Sequence, residues 1–402
     1  MDDDILSQGG DRDPSRWPRR VAVIGTPILV AVAVIVYLTV GRHPHSPAAA
    51  PSASAAASTA PVSVGLDAPG PPAEPDGIGG PTLPWAGTLR LPVAGMQPVW
   101  FSPATGRSEA IGGLPADSSG YQFTRVDGGW AVQANSGGNT ECGDCSVPPL
   151  PVWFLADGSR SVTRVGTANQ VTPAATAGAV WLTSYPPTAD TGTVARTARE
   201  VNLAGAPLGP PVSLPPGYVI YQATGHGLLL APVTQQPGTQ AYRLWNPAKP
   251  QASRTFDNVI AASPAEIAWT PRCAATCQVR LLDLATGRQT AVNLPAGSSA
   301  AGGAFSPTGD LLALQLSSGD DGALAMRLDV ASVTSGRLTA VPGTSVSSDA
   351  LVGFGWPTSA DSLVAEFIFA TKVQLASWQP GASRLAVAVI HPGQDQASLV
   401  VG

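Results

Sequence analysis

The sequence predicts an all-β fold, a seven-bladed β-propeller, carried behind one membrane-length apolar segment and a disordered linker. Three observations predict it. Strand-turn-strand hairpins recur seven times, with turns centred on Gly106, Gly158, Gly205, Pro247, Gly287, Gly336 and Gly381. Successive turns lie 52, 47, 42, 40, 49 and 45 residues apart, the length of a four-stranded propeller repeat, roughly 40 to 50 residues. The chain also holds 44 Gly and 40 Pro among alternating Val, Leu, Trp and Phe segments, which suits short strands joined by tight turns over a shared core.

The N-terminal elements read as an address. Residues 21–40 contain no charge and match the length of a transmembrane helix; Pro27 is a defect that such helices tolerate. Arg12, Arg16, Arg19 and Arg20 precede this segment and Arg42 alone follows closely, which orients the N-terminus to the cytoplasm and the remainder outside. The apolar run exceeds the core of a cleavable signal peptide, although Ala53, Ser54 and Ala55 offer small residues for cleavage. Arg19 and Arg20 are read as topology residues rather than a twin-arginine signal. Residues 1–20 form a short tail too polar to fold alone. Residues 41–81, rich in Pro, Ala and Ser, form an extended spacer, and the propeller occupies residues 82–402.

Each recurrent hairpin, such as residues 99–111, 279–294 and 373–390, is read as strands three and four of a blade. Between them lie second strands at Trp130, Val180, Leu228, Glu266, Leu311 and Leu363. Six inner pairs stand against seven outer hairpins, so the chain ends must complete one blade. Residues 88–94 and 397–401 are strand-like, and pairing them would close the ring and protect its edges. Six or eight blades stay open because residues 199–214 are weakly patterned.

The segment Phe305–Leu314, FSPTGDLLAL, resembles the inner hairpin of TolB-like and WD40-like propellers. Phe305, Ser306, Pro307 and Gly309 carry the resemblance, while Thr308 replaces the usual Asp; residues 263–269 and 355–364 echo it faintly. The Trp-Asp dipeptide that names WD40 repeats is absent. The resemblance implies a fold and a general association with binding, and no catalytic residue.

Chemistry-bearing residues are few. Cys142 with Cys145, and Cys273 with Cys277, form two close pairs that an extracytoplasmic setting would oxidise into local disulfides; a four-thiolate zinc site and a redox CGDC segment are the rivals. His226 and His391 are the two histidines after the spacer, both in turn-like positions, and no HExxH, GxSxG or phosphate loop occurs. Asp310, Asp320 and Asp321 lack calcium-loop spacing and read as a solvated turn. Glu366 lies in an apolar strand and is a candidate for the channel, with a hydrogen-bonded strand residue as the plainer reading. Trp100, Trp153, Trp245 and Trp378 recur before the outer turns, which suggests packing between blades. No catalytic residue, metal or cofactor is expected.

A net charge of −5 and two lysines, Lys249 and Lys372, offer no basic stripe for nucleic acid. The main expectation is a protein-binding or scaffold module of the cell envelope, with an unknown envelope protein as partner. Contacts would come from the irregular loops at 136–150 and 185–198. The alternative is an extracytoplasmic enzyme, or a binder of glycans or small ligands, that uses the central channel. A sensor acting through residues 1–20 is a third reading. Asp, Glu or His crowded on the innermost strands would favour catalysis, whereas Gly, Ala and Ser there would favour binding.

Overall fold

A computed structural model describes residues 77–80, 82–94, 97–115, 118, 120–134, 148–185, 196–233, 241–271, 277–319, 325–347, 350–357, 362–369, 372–390 and 398–399. The chain enters through β1 (Thr82–Pro84), then β2 (Leu91–Ala94), β3 (Val99–Ser102) and β4 (Arg107–Ala110), which belong to blade 1 apart from β1. Blade 2 is β5 (Tyr121–Val126), β6 (Gly129–Ala134), β7 (Leu150–Ala156) and β8 (Thr163–Ala168). Blade 3 is β9 (Gln170–Pro173), β10 (Ala179–Ser184), β11 (Thr197–Asn202) and β12 (Val212–Ser213). Blade 4 is β13 (Tyr218–Thr224), β14 (Gly227–Pro232), β15 (Ala241–Trp245) and β16 (Ser253–Asp257).

Blade 5 follows as β17 (Val259–Ala262), β18 (Glu266–Trp269), β19 (Gln278–Asp283) and β20 (Gln289–Asn293). Blade 6 is β21 (Ser298–Phe305), β22 (Leu311–Ser318), β23 (Ala325–Ser332) and β24 (Leu338–Ala340), with β25 (Val346–Ser347) also pairing β23. Blade 7 is β26 (Leu351–Gly355), β27 (Leu363–Ile368), β28 (Val373–Trp378) and β29 (Leu385–Ile390), and β30 (Ser398–Leu399) ends the described chain. The seven sheets make this an all-β, seven-bladed propeller. Every hairpin expected as strands three and four occupies those places. The weak pattern at 199–214 has its cause in β12, which is only two residues long.

Two clasps close the ring. β30 pairs antiparallel with β2, Val93 opposite Leu399 and Ala94 opposite Ser398, and so supplies the inner strand of blade 1. This is the terminal pairing that the sequence suggested. The second clasp was not anticipated: β1 runs parallel to β29, Thr82 opposite Leu385, as a fifth strand on the outer edge of blade 7. Just before it, the Ile78 N–H donates to Gln374 Oε1 (2.8 Å) and the Gly79 N–H to the Gly343 carbonyl (3.2 Å). The packed strap therefore begins within the stretch read as spacer. The residues 21–40 expected to cross the membrane lie outside the described residues, among which no helix is long and apolar enough to do so.

Radial sheets explain the patterning. Each sheet packs a neighbour on both faces, so alternate residues of one strand enter different cores. In β14, Leu228 and Leu230 pack toward blade 3, whereas Leu229 packs toward blade 5. Likewise Leu312, Leu314 and Leu316 face blade 5 and Ala313 faces blade 7. Second strands buried on both faces read as continuous apolar runs, while the outer strands β16 and β20 are mostly exposed. Trp100, Trp153, Trp245 and Trp378 sit on the third strands of blades 1, 2, 4 and 7 and are all buried, as packing between blades requires. Trp100 also donates its Nε1–H to the Ser159 carbonyl of blade 2 (2.6 Å).

Gly343 holds the strap against blade 6. Its φ of 73° is left-handed, and an added Cβ would overlap the Gly79 carbonyl oxygen. Gly343→Ala is expected to lower stability by about 2 kcal/mol, through backbone strain and displacement of the strap. Denaturant unfolding of the variant beside the parent chain measures it.

Candidate functional site

The channel is built from the inner strands β5, β9, β13, β17, β21 and β26, completed by β30. Each is hydrogen-bonded to a neighbouring strand on one side only. A ring of such strands turns its free backbone edges, with their N–H and C=O groups, toward the axis. Side-chain chemistry there is plain. The seven strands contain no Asp, Glu or His, and their single charged residue is Arg125. Arg125 is committed to Asp157 through two hydrogen bonds, 2.6 and 2.7 Å, and lies 5.1 Å from the Trp130 ring centroid. Small residues make up half of β17 (VIAA) and nearly all of β21 (SSAAGGAF).

Four consecutive inner strands carry a bulge at or before their midpoint. The pairing slips at Tyr221 in blade 4, Ile260 in blade 5, Ala301 in blade 6 and Val352 in blade 7. A bulge leaves one residue out of the ladder and re-aims the backbone around it. In blade 4 the freed geometry is used across the blade boundary, where Gln170 Nε2–H donates to the Ile220 carbonyl (2.8 Å). Tyr221 itself meets Tyr242 edge-on at 5.2 Å. Burial, then the neighbouring Tyr242, pushes its phenol above the usual range, so it remains neutral.

A second distinctive group lies away from the inner strands. Glu266 opens β18 and is 9 % exposed, packed under the first turn of blade 6. Its N–H donates to Ser263 Oγ (3.0 Å), while its Oε2 has no hydrogen-bond partner among the described residues. A Cβ on Gly309 would stand 3.1 Å from that oxygen. Burial first, then the charge of Asp283, pushes the carboxyl up to about 7; the Ser263 hydroxyl opposes this and Asp310 adds to it.

The residues singled out from sequence are dispersed. Cys277 is disulfide-bonded, and Cys142, Cys145 and Cys273 lie outside the described residues, as do Asp320, Asp321 and His391. His226 is exposed in the first turn of blade 4, its N–H donating to Thr224 Oγ1 (3.2 Å). Asp310 is an exposed turn residue. Glu366 does not face the channel: it sits on the second strand of blade 7 and is 2 % exposed. Among the described residues no group of His, Cys, Asp and Glu is arranged to hold a metal. Glu266 and the four bulges were missed. The echo of the Phe305–Leu314 motif at residues 263–269 was a usable signal for Glu266, since it aligns that residue with a turn position.

No protein-family profile matches the chain, and no curated protein is similar to it in sequence. Solved structures do align. A TolB-type protein of Agrobacterium tumefaciens is 13 % identical, with a TM-score of 0.35, covering 76 % of this chain and 91 % of that one. The fold is similar to that of TolB-like propellers. An acylaminoacyl peptidase of Pyrococcus horikoshii is 11 % identical, with a TM-score of 0.49, covering 72 % of this chain and 47 % of the peptidase. A prolyl endopeptidase is 15 % identical, with a TM-score of 0.44, covering 67 % of this chain and 41 % of its own. The chain thus spans about half the length of these peptidases. The expectation of a protein-binding scaffold is corrected here. The structures that align include peptide-processing enzymes, and none of those named above is described as a scaffold.

Proposed function

We propose that this chain is an extracytoplasmic ligand-binding propeller, tethered through residues 21–40, whose central channel takes a neutral, hydroxyl-rich ligand of the glycan class. The observation that carries it is the make-up of the inner strands, where open backbone edges stand beside small residues and no carboxylate or imidazole. Hydroxyl groups both donate and accept, so they match a mixed array of backbone N–H and C=O groups. A neutral ligand also avoids the cost of burying a charge where nothing pairs with it. The consecutive bulges at Tyr221, Ile260, Ala301 and Val352 add irregular backbone at one side of the channel, the kind of feature that accompanies binding sites. In the envelope, local disulfides of Cys142 with Cys145 and Cys273 with Cys277 would brace loops beside the blades.

Titration calorimetry of the purified full-length chain with neutral oligosaccharides, run beside acidic ones, tests the reading. Saturable binding of the neutral set is expected. The inner-strand variants Gln122→Trp and Ser299→Trp, both at exposed positions, should abolish it with little change in melting temperature. Absence of saturable heat, or tighter binding of the acidic sugars, would overturn it.

A further inference from the structure

Antiparallel order within each blade places the turn between strands one and two at the same face as the turn between strands three and four. On that face, between blades 3 and 4, lies a groove of about 130 Å³ whose lining includes Trp181, Glu200, Thr224, Leu228 and Pro247. Trp181 is an outlier. Nine tryptophans follow the apolar segment, and eight of them, from Trp85 to Trp378, are buried. Trp181 alone is half-buried, with its ring at the groove.

Glu200 stands directly opposite Trp181 across β10 and β11, so the two side chains share one face of the sheet. The Glu200 backbone is anchored, its carbonyl accepting from the Leu208 N–H (3.0 Å). Its carboxylate enters no hydrogen bond or ion pair among the described residues. The adjacent Arg199 points to the other face by strand alternation. Thr224 offers no free donor in compensation, because its hydroxyl donates to the Gly227 carbonyl (2.8 Å) and accepts from the His226 N–H (3.2 Å). The exposed His226 and Lys249 form no ion pair with Glu200, and neither does Arg243, whose side chain shares the blade-3 face of blade 4 with Leu228 and Trp245. The groove thus combines the half-buried Trp181 indole, which also packs on the core between blades 3 and 4, a carboxylate with no ion-pair partner among the described residues, and apolar walls from Leu228 and Pro247.

We infer that this groove binds an organic cation, an ammonium group held against the Trp181 indole and the Glu200 carboxylate. An aromatic ring attracts a cation through its quadrupole, and more so where apolar walls limit solvent. The carboxylate adds a charge-assisted contact. A sugar hydroxyl would donate to the carboxylate as well as stack on the indole, but it would leave the carboxylate without a counter-charge, which an ammonium group supplies. This site is separate from the channel, and its ligand is distinguished from the channel's by charge.

The test uses the ¹⁵N-labelled full-length chain and the Trp181 indole N–H resonance, assigned with Trp181→Phe. Three probes are titrated: tetramethylammonium, n-butylammonium and the uncharged isostere tert-butanol. Tetramethylammonium and n-butylammonium separate quaternary from primary ammonium as the preferred form, and saturable shifts with at least one of them are expected. tert-Butanol should give none, and added salt should weaken the response. Glu200→Gln should reduce affinity by roughly tenfold. Should that variant fail to fold, Glu200→Asp keeps the charge, retracts it, and should weaken binding to a smaller degree. Equal shifts with tert-butanol, unaltered affinity in a folded Glu200→Gln protein, or no saturable shift with either cation would overturn the inference.

Discussion

A chain lacking residues 394–402 is expected to melt well below the full-length protein and over a broader temperature range. The deletion removes β30, the inner strand of blade 1. It bares the hydrogen-bonding edge of β2 at Val93 and Ala94 and opens the apolar core where blade 1 meets blade 7. That core joins Trp85, Leu91 and Phe101 to Val364, Leu375 and Ala388. Exposing part of it at ~25 cal/mol per Å², together with an unpaired edge, gives a loss on the order of 3 kcal/mol. In a domain of this size that is a fall of roughly 4 to 5 °C, readable by calorimetry. An unchanged melting curve would mean that β30 does not close the ring.

The second clasp sharpens this expectation. β1 binds the outer edge of blade 7, and the strap before it reaches Gly343 of blade 6, so blades 6, 7 and 1 stay linked when β30 is gone. Combining the deletion with Gly343→Ala should therefore cost more than the sum of the separate losses. Contacts that secure the same boundary couple in this way, whereas independent sites add.

The sequence disclosed elements whose residues report their own surroundings. Gly106, Gly158 and Gly287 mark outer turns because the backbone there has φ of 65°, 73° and 71°, a region other residues avoid. The run Leu228 to Leu230 reads as a second strand because both its faces are buried. What stayed hidden depends on distant partners. β1 is three exposed residues ending in Pro84, unremarkable except for its pairing with β29. β25 is two residues long, too short to show a period. A bulge adds one residue to a strand and leaves alternation on each side intact, so Tyr221 and Val352 gave no sign. Trp181 sits on a second strand, out of register with the third-strand tryptophans, and its exposure depends on how blade 4 approaches.

The burial of Glu266 likewise depends on a neighbouring blade, although its turn motif was legible, and the largest pH effect should come from that residue. The Glu266→Gln protein is expected to be more stable than the parent chain above pH 7 and equally stable near pH 4. The carboxyl has an ordinary value of 4.5 when unfolded and about 7 in the folded chain. Between those values the folded state keeps a proton that the unfolded state has released, so stability falls as pH rises through this window and levels off above 7. The penalty then is about 2 kcal/mol, less than the full shift implies because the site retains some access to water. Glutamine has the same shape, carries no charge, and gives the position an amide in place of the unpaired Oε2. Unfolding midpoints of both proteins measured from pH 4 to pH 9 should diverge across the window. Parallel curves would show that Glu266 is ionised in the fold without cost, and that its contact with Gly309 of the neighbouring blade is more open to solvent than its burial indicates.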